Sequence, residues 1–315
     1  SGTRGHEVAA LYVASQFRSL GLQPAGDGGT WYQRVPFRRA THDGPPQLAL
    51  VIGGKRQALT VGTDAAVRPS VTEQERTIEA PLVFVGWGIT DTRYRFDDYK
   101  GLDLKGKIAV AFSGTPRGLP SEVAAHLGSQ KDEFAAAAGA IGLIEIEPGE
   151  DSPGGTVRNA LRPRVTDWVD AQGHTGNTAL GLRFRAGVSD EVAAKLFAGA
   201  AQTLGTVRQQ AGRGGHPEGF GLKPCFALQD RMRWEEFTSP AVLGMLPGTD
   251  PGLPGETVIL MGHLDHLGIE PDAKPGEDAI HNGALDNAPG IATMMEAARS
   301  FARSGKAPKR SVLFI

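Results

Sequence analysis

The tightest constraint on the fold of this chain is an apolar run that stops abruptly in polar side chains. Val258, Ile259, Leu260 and Met261 end at Gly262, and His263, Asp265 and His266 follow at once. A continuous apolar run is expected of a strand buried on both faces, as in a parallel sheet. In open α/β sheets, ligands collect just beyond the carboxyl ends of such strands. An imidazole and a carboxylate two residues apart at that point suit a metal site: His263 ligates, and a nearby carboxylate orients its other ring nitrogen. Further on, Ile291, Met294, Met295, Ala298, Phe301 and Ala302 recur at helical spacing, and Pro289 suits a first helical turn. Asp286 therefore falls where a loop becomes a helix, either as a helix cap or as a cation ligand. Alone, His-x-Asp is a weak signal, because most such triplets are capped strand ends with a surface histidine.

The two stretches together say more. Gly262-His263-Leu264-Asp265-His266-Leu267-Gly268, followed by Asn282-Gly283-Ala284-Leu285-Asp286-Asn287-Ala288-Pro289-Gly290, resembles the signature of the di-zinc aminopeptidases, zinc-dependent exopeptidases of the aminopeptidase Y and glutamate carboxypeptidase type. The resemblance implies that His263 ligates one zinc ion, that Asp286 bridges two, and that Asp265 is the carboxylate holding His263. It also implies a cis peptide after Asp286. Leu285 and Pro289 depart from the pattern, where aspartate and serine are common, but neither occupies a ligand position.

Composition excludes several other classes. With 33 basic and 35 acidic side chains the net charge is −2, which argues against a polyanion-binding surface and so against a nucleic-acid partner. Glycine and proline make up about a fifth of the chain, below the roughly 25–30% of low-complexity disorder. The longest apolar stretch, Phe134 to Ile144, is too short for a membrane span. A single cysteine, Cys225, excludes an internal disulfide and reads as a small buried hydrophobe.

Along the chain, Ala10, Val13, Phe17 and Leu20 line one face of a helix over 1–22, ended by Gly21. Leu48 to Ile52 and Gln57 to Val61, separated by Gly53-Gly54-Lys55-Arg56, predict a hairpin. From 66 to 215 the texture changes: strands at 78–89, 107–112 and 142–146, a helix at 131–140, and a second helix after Ser189, a suitable cap. This succession resembles the protease-associated domain that some of these aminopeptidases carry. The acidic residues Asp91, Asp97, Asp98 and Asp103 lack the register of a calcium loop and read as a solvated turn. The glycine-rich segment 212–221 is the candidate linker. The expected fold is α/β: a mixed, mostly parallel sheet flanked by helices. The peptidase domain spans 1–65 and 216–315, with a protease-associated insertion at 66–215.

By resemblance, the function is removal of N-terminal residues from peptides with a free N-terminus, using two zinc ions in a complete catalytic domain. The family's general base and second glutamate ligand lie in a Gly-Glu-Glu segment after the next strand, which these 315 residues do not contain. The expectation is therefore that the remainder of the chain beyond Ile315 completes the site, and that this portion alone is inactive. Secretion or a periplasmic location is implied by the resemblance only. The competing readings are a dipeptidase, carboxypeptidase or glutaminyl cyclase on the same scaffold, or a receptor-like ectodomain without metals. His266 is expected to pack beside the site, and His281 to be structural or substrate-facing.

Overall fold

A computed structural model describes residues 1–149, 155–253, 255–270 and 273–315. The fold is mixed α/β, and the chain divides into two compact units. The smaller comprises Ser1–Phe37 and Glu236–Ile315; the larger, Arg38–Glu235, is inserted into it in chain order.

In the smaller unit, the described residues form a four-stranded sheet in the order Gln23–Pro24, Gly244–Leu246, Ser311–Phe314, Thr257–Leu260. The last two strands are parallel, joined through the helix Ala288–Ser304, which makes a βαβ crossover. The helix Arg4–Ser19 starts at Thr3, whose side chain accepts from the His6 amide, and Gly21 follows its end at φ +78°. That positive φ suits glycine because it has no Cβ to clash. Its buried face, Ala10, Val13, Ala14 and Phe17, meets Ile291, Met294 and Ala298 of the second helix, and Val312 and Phe314 of the sheet.

One expectation about this sheet fails. The apolar run at Val258 is not buried on both faces: Thr257–Leu260 pairs only with Ser311–Phe314 and stands at the sheet edge among the described residues. Val258 is 45% exposed and Met261 75%. Val258 and Ile259 point to opposite faces of the sheet and Ile259 is 54% exposed, so neither face is covered there.

In the larger unit, the central strands Glu75–Phe84, Ile108–Phe112, Gly142–Ile146 and Phe184–Val188 are parallel. Alternation sends Ile108, Val110 and Phe112 into one core and Ala109 and Ala111 into another, on the opposite face. Both faces are covered by apolar packing, which is why these strands read as unbroken hydrophobic runs. Ser189 caps the helix Asp190–Leu196 as expected, accepting from the Val192 amide. Cys225 is only partly buried, because it sits on the long strand next to exposed Lys223 rather than in a core.

The units part at 37/38 and 235/236, whereas the sequence suggested 65/66 and 215/216. The hairpin Gln47–Ile52 and Lys55–Leu59 pairs along Phe220–Val242, so it goes with the larger unit. The glycine-rich stretch expected to be a linker is instead the end of the helix Leu204–Gly212 and the approach to that strand. The strand then runs on to Val242, past the unit boundary at 235/236. Asp98 also departs from expectation: its side chain is buried, accepting from the Ile89 amide at 3.1 Å, so it is not a solvated loop residue.

Among the described residues, no helix is long and apolar enough to cross a membrane.

Candidate metal centre

Where the strand Thr257–Leu260 ends, its parallel pairing continues for one more step. The Ile315 amide donates to the Leu260 carbonyl at 2.9 Å, and the Gly262 amide to the Ile315 carbonyl at 3.0 Å. Gly262 lets the helix come close, since a Cβ there would lie 3.1 Å from Ile291 Cδ1. His263 follows immediately, half exposed beyond the carboxyl end of the strand. Its Nδ1 lies 2.7 Å from the backbone carbonyl of Asp265. A carbonyl only accepts, so Nδ1 carries the proton and Nε2 is the atom available to a ligand.

That Nε2 lies 2.9 Å from Oδ1 of Asp286. The Asp286–Asn287 peptide is cis, as the resemblance implied. The sequence left Asp286 as either cap or ligand. The cap is Asn287, whose side-chain oxygen accepts from the Gly290 amide at 3.2 Å, and Asp286 is left turned toward His263. The Asn-x-x-Gly spacing at a helix start was a readable cap signal, and sequence reasoning passed over it. Gly283 closes the preceding loop at φ +67°, and a Cβ there would come within 3.0 Å of the Asp286 carbonyl oxygen. His266 stands nearby, with Nδ1 3.8 Å from Asp286 Oδ2. His281 pairs with Glu270 at 3.4 Å, its ring edge-on to His266.

Asp265 does not orient His263 through its carboxylate, which stays 3.8 Å from Nδ1, beyond hydrogen-bond reach. Its backbone carbonyl does the orienting instead. The carboxylate instead accepts from the Ser1 hydroxyl at 2.6 Å. The His263 pKa is raised, first by its bond to the Asp265 carbonyl; desolvation opposes this, and the Asp286 charge adds to it. A recess of about 170 Å³ adjoins His263 and Asp265, walled by Val35, Phe37, Val242, Ile291 and Met294.

An imidazole nitrogen and a carboxylate oxygen converging at 2.9 Å form a hydrogen bond when the ring is protonated and a donor pair suited to zinc when it is neutral. Among the described residues, no group of three or more such side chains is placed to hold a metal ion. The pair therefore fits one side of a metal site and does not complete it. Residues 241–315 match the family model of Peptidase family M28. Both donors lie in that M28-matching segment. Two solved structures are similar at low identity: an aminopeptidase from Aneurinibacillus sp. strain AM-1 (18% identity, TM-score 0.45) and a Peptidase M28 precursor from Shewanella amazonensis SB2B (17% identity, TM-score 0.40). All of this chain is covered in both comparisons, and it spans 57% and 59% of their lengths. No curated protein matches the chain.

Proposed function

We propose that the protein is a zinc-dependent aminopeptidase, with His263 and Asp286 as ligands. The observation that carries the reading is the 2.9 Å convergence of His263 Nε2 and Asp286 Oδ1 beyond a strand end, inside the M28-matching segment. The Asp265 carbonyl fixes the tautomer that offers Nε2 to the metal. Asn287 caps the helix and so releases the Asp286 carboxylate for ligation. A structural or catalytic zinc takes three or four protein ligands, so further ligands must join this pair. Bound zinc lowers the pKa of a coordinated water and polarises a carbonyl. The apolar recess beside His263 suits the side chain of a substrate residue. In this reading the Arg38–Glu235 unit is a protease-associated insertion, and export from the cytoplasm rests on the resemblance of the motif.

The test is zinc content together with leucine-amide hydrolysis by the whole protein that carries this segment, as wild type, His263→Ala and Asp286→Ala. Both substitutions should lower bound zinc and abolish turnover, and an N-acetylated peptide should resist cleavage. Full zinc content and activity in both variants would sink the reading. Cleavage of the acetylated peptide would remove the aminopeptidase assignment while leaving the metal site standing.

A further inference from the structure

The larger unit contains a cavity of about 410 Å³, within the range of small-ligand pockets. Six arginines line it: Arg68, Arg76, Arg162, Arg164, Arg183 and Arg185. Three are neutralised. Arg76 is held by buried Asp230, Arg183 by both oxygens of Glu73, and Arg185 by Asp132 at 3.1 Å and Glu145 at 2.9 Å. The other three have no carboxylate within ion-pair distance among the described residues. Arg162 gives only Nε to the Asn159 carbonyl, at 3.2 Å. Among the described residues, the Arg164 side chain enters no hydrogen bond or ion pair. Arg68 Nε is buried without any partner, and burial and then neighbouring Arg185 push its pKa down. Against these three the lining holds one carboxylate without a cationic partner, Asp167, whose Oδ1 accepts from the Trp168 amide.

The fold is under no need to gather these charges. The net charge of the chain is near zero, yet three guanidiniums without a carboxylate partner share one concavity, where they repel each other. A buried N–H donor with no acceptor is costly to leave unmade. Both features are resolved by an acceptor-rich anion, which guanidinium forks bind through paired hydrogen bonds. Arg76 holds the frame from behind: its guanidinium donates to the backbone carbonyls of Arg68 and Arg183, the residues at which the chain enters the cavity wall.

We propose that this cavity is a binding site for a small oxyanionic ligand carrying at least two negative charges, held by Arg68, Arg162 and Arg164. The site is separate from the metal pair and does not depend on the peptidase reading. Phosphate esters and polycarboxylates share this chemistry, and the experiment separates them. Isothermal titration calorimetry would use the whole protein that carries this segment, with pyrophosphate and with citrate, at ionic strength held constant with sodium chloride. Arg162→Gln, Arg164→Gln and Arg68→Gln are compared with Arg56→Gln, which breaks an exposed ion pair outside the cavity. Saturable binding is expected in wild type and Arg56→Gln, and each cavity variant should weaken it about tenfold, as loss of a charge-assisted hydrogen bond does. Arg162 and Arg164 are exposed, so their variants fold even where Arg68→Gln does not. Binding of pyrophosphate alone assigns a phosphate ligand, and binding of citrate assigns a polycarboxylate. Absence of saturable binding with both probes, or wild-type affinity in both Arg162→Gln and Arg164→Gln, overturns the proposal.

Discussion

Replacing Asp230 by alanine tests the reasoning about buried charge most sharply. Arg76 is 2% exposed and Asp230 lies beneath it. Its guanidinium makes four hydrogen bonds: Nε to Oδ1 at 2.9 Å, Nη2 to Oδ2, Nη1 to the Arg183 carbonyl at 2.9 Å, and Nη2 to the Arg68 carbonyl at 3.0 Å. Asp230→Ala removes two of these and leaves the cation buried with two carbonyls and no counter-charge. Breaking such a pair from one side costs about 3–5 kcal/mol, because the remaining charge is desolvated and uncompensated. The exposed Arg56–Glu79 pair in the same unit is the control, and its loss should cost no more than about 1 kcal/mol. For a unit of this size the buried loss corresponds to a melting temperature roughly 6–20 °C lower. Urea unfolding followed by the fluorescence of Trp87, Trp168 and Trp234, all within this unit, would measure it. A double variant, Arg76→Met with Asp230→Leu, should recover part of the loss but not all. It removes the orphaned charge, yet leaves the carbonyls of Arg68 and Arg183 without their donor, at about 1–3 kcal/mol each. If Asp230→Ala costs no more than the loss of the Arg56–Glu79 pair, the argument from desolvation is wrong.

Two further outcomes follow from the packing. Phe314 is fully buried, with its ring 5.9 Å from that of Phe17, so Phe314→Ala should cost about 3–5 kcal/mol. Trp31, packed against the same core, reports that transition in urea. Lys131 is buried, its ammonium bonded to the Phe112 carbonyl and 3.7 Å from Glu145, and burial pushes its pKa down to about 8. Below pH 8 both folded and unfolded chains hold the proton, and the burial cost is present in full. Between about 8 and the ordinary 10.5 the unfolded chain binds more protons, so stability rises with pH. Wild type should gain up to about 3 kcal/mol on Lys131→Met across that window, measured by urea unfolding at a series of pH values.

Much of the local structure was legible because it depends on neighbours in the chain. Ser189 before Asp190 gave a cap, Gly53-Gly54 gave a hairpin turn, and the spacing of Ile291, Met294 and Ala298 gave a helix face. What misled the reading was long-range pairing. The strand Phe220–Val242 contains Gly221, Pro224 and Pro240, turn-forming residues that mask its alternation, and so the unit boundary was placed in the wrong kind of segment. The exposed edge at Val258 was hidden for the same reason: an apolar strand looks alike in the middle of a sheet and at its rim.

At the candidate site, residue identity came from the sequence and geometry did not. His263, Asp265 and Asp286 were all named from motif resemblance, but only His263 and Asp286 were brought together as donors. Asp265 acts through its backbone carbonyl, a group every residue has and no side-chain pattern can signal. The cavity arginines show the complementary limit. They come from three separated stretches, 68–76, 162–164 and 183–185, and in the sequence none stands out from an ordinary surface charge. The amino-acid sequence by itself determined the Ser189 cap, the hairpin turn and the apolar helix faces, because each is fixed by residues a few positions apart. Only the tertiary structure decided which strand is an edge, how closely His263 and Asp286 approach, and which cavity arginines have no carboxylate partner, because those outcomes depend on partners brought together from distant parts of the chain.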